Sequence, residues 1–173
     1  MTLFDQDLRF LKESEVSLQE YLLSNELYWP LSASLPRLTP GSLLLALACC
    51  RVSAPVEAQK VFIQIEIVQK KWPTAWGKKA TREITNRLRL WSEFLSDYLK
   101  APDQDLESYR TEARGRTILQ LLLVDIPEPQ AVKALADLDD VVKTHLLPCE
   151  FLWEPELQPV FPKSDFWFLY GNL

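Results

Sequence analysis

Cys49, Cys50, His145 and Cys149 are the residue types that bind zinc, and their spacing argues against a site. Structural zinc sites pair cysteines across a gap of about two to four residues. Cys49 and Cys50 are adjacent, so on a helix they point about 100° apart. His145 and Cys149 are four apart, but Pro148 lies between them and interrupts the helix that would align them. Thiols in a very apolar helix are ordinarily core residues. No metal and no cofactor are expected.

Acid–base chemistry has equally thin support. Asp137, Asp139 and Asp140 cluster near His145, the single histidine. Neither a Glu-x-x-His nor a His-Glu-x-x-His spacing occurs, so di-iron and zincin patterns are unmet. Ser42 follows Gly41 without the pattern of a nucleophile elbow. The three aspartates are expected on a solvated face, and the balance points away from an enzyme.

A third group has more substance. Between Lys70 and Arg89 stand seven basic residues and one acid, Glu83, in a chain of net charge −5. Asymmetry of this kind bears on partners and not on fold. Lys78, Lys79, Arg82 and Arg89 are expected on the outer face of one helix, as the basic face presented to a partner. Trp72 and Trp76, on either side of Pro73, are the aromatics available for stacking or contact. Cations that displace counterions beside stacking rings suit nucleic acid. The acidity of the chain argues against a dedicated nucleic-acid binder, and an acidic protein partner is the other reading. A plain charged outer face competes with both, since Arg89 and Glu93 also have ordinary helical salt-bridge spacing.

The elements that must position these residues are helices. Glycine is scarce, with four in 173 residues, and helix formers are abundant. Prolines divide the chain into blocks. Phe4, Leu8, Leu11, Leu18 and Leu22 form one stripe of a first helix that begins near Leu3 and stops before Trp29-Pro30. Thr39-Pro40-Gly41-Ser42 opens a second helix, capped by Thr39 and apolar nearly all round from Leu43 to Arg51. Residues 55–71 are expected to be helical. Within them Val61, Ile63, Ile65, Ile67 and Val68 would also suit a strand, and the good helix formers on both flanks decide for helix.

A fourth helix, about Thr74 to Lys100, turns Trp76, Ala80, Ile84, Leu88, Trp91 and Leu95 inward. A fifth runs from about Asp103 to Val124, with Leu106, Tyr109, Ala113, Ile118, Leu121 and Leu122 apolar. Within it Gly115 marks a close contact or a kink. A sixth runs from about Glu128 to Leu146 on Val132, Leu135, Leu138 and Val142. From Pro148 onward, prolines and aromatics alternate too densely for a long helix. So many rings are costly to leave in water, so this arm is expected to lie over the helices and seal them.

The expected architecture is therefore all-α: about six helices in a bundle-like or orthogonal array, with residues 148–173 as an irregular arm on a helical domain of residues 1–147, one domain overall. No run is long enough to span a membrane, since Leu43–Cys50 is the longest apolar stretch. The acidic N-terminus is unlike a secretory signal. An odd number of cysteines implies no disulfide framework, which suits the cytoplasm. Three functions are compatible with this. The first is a non-catalytic interaction or accessory protein, with an acidic protein partner or self-association. The second is a nucleic-acid-binding accessory protein. The third is an enzyme or small-ligand binder with a site under the aromatic arm.

Overall fold

The computed structural model describes residues 3–102 and 106–173, the side chains of residues 3, 4 and 106 excepted. The fold is all-α. Its helices are α1 (Leu3–Leu23), α2 (Pro40–Ser53), α3 (Pro55–Lys71), α4 (Pro73–Lys100), α5 (Leu106–Asp125) and α6 (Pro129–His145). Pro40, Pro55, Pro73 and Pro129 each open a helix, where the missing N–H forfeits no bond and the ring presets φ. The chain divides by its contacts into two compact units, Met1–Glu83 and Ile84–Leu173. No helix among the described residues is long and apolar enough to cross a membrane.

In the first unit α1, α2 and α3 pack on one another. α2 is the most apolar, with Leu43, Leu45, Leu47, Cys49 and Cys50 all buried. Thr39 caps it in a reciprocal box with Ser42: the Ser42 amide donates to Thr39 Oγ1 at 3.0 Å, and the Thr39 amide donates to Ser42 Oγ at 2.9 Å. Residues 61–68 are helical. Ala58, Val61 and Ile65 are buried while Ile63 and Ile67 are exposed, which is the three-and-four spacing of a helix and not the alternation of a strand.

α1 ends at Leu23, well before Trp29-Pro30. Ser24 competes for the last turn, its Oγ donating to the Tyr21 carbonyl at 2.7 Å, and Tyr21 Oη donates to the Leu27 carbonyl at 2.9 Å. The chain that follows is extended at Trp29, which pairs with Leu38 in an isolated antiparallel bridge. The inward position expected for Phe4 lies outside the described side chains.

In the second unit Tyr109, Ala113, Ile118 and Leu122 of α5 are buried, as are Leu135 and Val142 of α6. Val132 is exposed instead, because Ala131 occupies the inner position of that turn. Asp103, the expected start of the fifth helix, and the side chain of Leu106 lie outside the described residues.

The C-terminal arm is irregular and aromatic. Two single-turn 3-10 helices, Pro155–Leu157 and Trp167–Leu169, interrupt it, and β1 (Leu147–Pro148) pairs antiparallel with β2 (Gly171–Asn172). Trp153, Phe161, Phe166 and Phe168 meet edge to face with centroids 5.1 to 6.1 Å apart. Gly171 lies where the strands close, and a Cβ there would fall within 2.9 Å of three atoms of the Leu146 side chain, which would have to shift. Gly115 is different: a Cβ would meet only Arg87 Nη1, at an ordinary 3.8 Å, and α5 runs on through it.

Candidate functional site

Glu83, the one acid of the basic segment, is fully buried at the N-terminus of α2. One carboxylate oxygen accepts from Thr39 Oγ1 at 2.7 Å and the other from the Gly41 amide at 2.7 Å. A carboxylate there meets donors that the first turn of a helix leaves unpaired, and it complements the helix dipole. Burial, and after it the Glu83 charge, push the neighbouring Tyr21 phenol well above its ordinary pKa. This seat fixes the early turns of α4 within the first unit.

Lys79 departs from the expected outer face. It is only 4% exposed. Its ammonium donates to the carbonyls of Ser24 and Glu26 and lies 4.5 Å from the Tyr21 ring centre. The segment that leaves α1 passes over this flank of α4 and supplies those carbonyls, so Lys79 closes a turn and presents no charge to solvent. Burial, then the nearby Arg82 charge, lower its pKa.

Lys78 and Arg82 remain exposed. Together with Lys71, Trp72 and Thr74 they line a cleft of about 530 Å³, whose opposite wall is Leu22 to Asn25. Among the described residues no Asp or Glu lines it. Arg82 is held by a 3.1 Å bond from Nη1 to the Asn25 carbonyl, and Lys71 Nζ rests 4.4 Å from the Trp72 ring centre. The cleft thus unites Trp72 with two of the four cations expected of the face, adds Lys71, and keeps Lys79 only as a buried wall.

Trp76 is buried in the core and offers no stacking surface. Arg89 falls in the second unit, where Glu93 holds it in a two-pronged pair at 2.7 and 2.9 Å and Asn86 accepts a further bond. Lys71 lay within the basic run of the sequence. It stands next to Trp72 in the chain, at the junction of α3 and α4.

The aspartates of α6 are not one solvated face. Asp137 pairs with Lys133 and Asp140 with Lys143 at the surface. Asp139 is 13% exposed and takes two bonds from Arg116, which is 2% exposed, at 3.1 and 2.7 Å. The guanidinium also covers the Phe168 ring at 4.3 Å, and Tyr109 Oη donates to the Phe168 carbonyl at 2.8 Å. The arm is therefore fastened to α5 by its own aromatic residues and backbone.

Among the described residues no three His, Cys, Asp or Glu side chains come together as a metal site. Cys49 and Cys50 are buried in the first unit, and Cys149 is exposed in the second. Burial, then the nearby Asp7, push the Cys50 thiol up to about 12. An alkylating reagent at pH 8 is accordingly expected to modify one cysteine, Cys149, in the native protein and all three after unfolding. Intact-mass measurement counts the adducts, and two fast adducts on native protein would contradict this burial.

Compared with known family models, curated proteins and solved structures, the chain matches none.

Proposed function

We propose that the protein is a non-catalytic interaction protein whose first unit binds an acidic segment of a protein partner. The observation that carries this reading is the cleft itself: exposed Lys71, Lys78 and Arg82 around Trp72, with no carboxylate among the described lining residues. Three cations on a concave surface concentrate field lines, attract an anionic segment and speed its capture. The net charge of −5 on the whole chain repels long polyanions elsewhere on the surface, which favours a short acidic protein segment over extended nucleic acid. A cytoplasmic setting is part of the reading and agrees with three free thiols.

Fluorescence anisotropy with a labelled glutamate-rich peptide tests it. Binding is expected to weaken as salt rises. The double variant Lys78→Glu/Arg82→Glu is expected to reduce affinity by at least about tenfold, or roughly 1.4 kcal/mol. Affinity untouched by that double reversal would remove the cleft from the interaction. Tighter binding of oligo-dT than of the peptide, with the steep salt slope of phosphate contacts, would move the assignment to nucleic acid.

A further inference from the structure

A second hollow, of about 600 Å³, adjoins the cationic cleft. Val16, Gln19, Glu20 and Trp29 line it, and Leu23 and Ser24 belong to both cavities. Val16 is 85% exposed and Leu23 60%, on a helix whose opposite side, Leu11, Leu18 and Leu22, is fully committed to the core. Val16 and Leu23 are seven residues apart, two turns along the same face of α1, and the Trp29 ring is steadied nearby by edge contact with Tyr21 at 6.4 Å. The two hollows therefore meet at Leu23 and Ser24, and together they make a groove with an apolar end and a cationic end.

We infer that this groove recognises a bipartite segment of a partner protein, in which an apolar anchor seats on Val16, Leu23 and Trp29 while adjoining acidic residues reach Lys71, Lys78 and Arg82. The inference rests on the cleft being an acidic-segment site and adds the anchor and the polarity. Charge complementarity fixes the direction. Glu20 borders the apolar end and repels acidic residues from it, whereas no carboxylate among the described residues lines the cationic end to compete for its lysines and arginine. An apolar end with its own carboxylate is a poor track for a phosphate backbone, which needs cations along its length. A peptide supplies both chemistries within a few residues, and apolar anchors in pockets ringed by polar contacts carry most of the affinity in such interfaces.

The test compares three labelled ligands on the full chain by anisotropy: a glutamate-rich peptide ending in a leucine pair, the same peptide with serines in place of the pair, and oligo-dT. The leucine peptide is expected to bind about tenfold tighter than its serine counterpart, the effect of burying roughly one leucine side chain. The variant Val16→Gln/Leu23→Gln leaves net charge unchanged and alters only exposed side chains, so circular dichroism should find it folded. It is expected to erase that tenfold difference, and the single variant Val16→Gln, whose side chain lies outside the cationic cleft, is expected to narrow the difference and leave the serine peptide's affinity unaltered. Equal binding of both peptides overturns the anchor while the acidic-segment reading stands. Failure of both peptides to bind overturns both readings. Oligo-dT binding tighter than either peptide, insensitive to Val16→Gln/Leu23→Gln, assigns the groove to nucleic acid and overturns both.

Discussion

Replacing Arg116 with methionine is expected to destabilise the second unit by about 3 kcal/mol, because it leaves Asp139 largely shielded from water without the guanidinium that pairs it. Arg116 makes two bonds to that carboxylate, one to Gln120 Oε1 at 3.1 Å, and a face contact with Phe168. Methionine restores only the apolar contact. The double variant Arg116→Met/Asp139→Leu is expected to recover most of the loss, since a buried ion pair exchanged for packed apolar residues is often neutral or better. Urea unfolding followed by tryptophan fluorescence measures both. A cost under about 1 kcal/mol for the single variant would show that the pair behaves as a surface bridge. The arm should respond with it: Phe168 is held both by this guanidinium and by the Tyr109 hydroxyl, so protease sensitivity near Trp167 is expected to rise in Arg116→Met and to fall back in the double variant.

The helical architecture was legible because its signals are local. Thr39-Pro40 and Pro55 mark helix starts, and the Trp76-to-Leu95 stripe marks an inner face, without reference to any other part of the chain. Residues whose role depends on distant chain were misplaced. Lys79 sits well off the apolar stripe on a helical wheel, yet the segment after α1, more than fifty residues earlier in sequence, covers it. Trp76 went the other way: it belongs to the stripe, so its burial was implied by that periodicity, whereas Trp72 precedes the first turn of α4. Asp139 was grouped with Asp137 and Asp140 by sequence proximity. On a helix Asp137 and Asp140 share one side, and Asp139 points away from them toward α5. The cationic cleft was legible in composition and not in shape, because Leu22 to Asn25 form its far wall and carry no charge to advertise it.

Glu83 illustrates that limit and gives the sharpest test of the first unit. In sequence it is one acid among seven bases; in the fold its two oxygens take the Thr39 hydroxyl and the Gly41 amide, joining α4 to the cap of α2. Hydrogen bonds to a buried carboxylate are among the stronger ones, and its removal strands both donors away from water. Glu83→Ala is therefore expected to cost about 3 kcal/mol. Glu83→Gln keeps the shape but turns an amide N–H₂ toward one of two donors, so it should recover only part of that loss, leaving about 1–2 kcal/mol. Thr39→Ala removes the cap and one of the same bonds, for about 1–2 kcal/mol. Because Thr39 and Glu83 share a bond, the double variant Thr39→Ala/Glu83→Ala should cost less than the two single losses added together. Denaturant unfolding of the four proteins measures the cycle, and strict additivity would show that the shared bond contributes nothing. The seat also bears on function. Lys78 and Arg82 stand within the turns of α4 that Glu83 anchors, so Glu83→Gln, while still folded, is expected to weaken acidic-peptide binding although its side chain never lines the cleft.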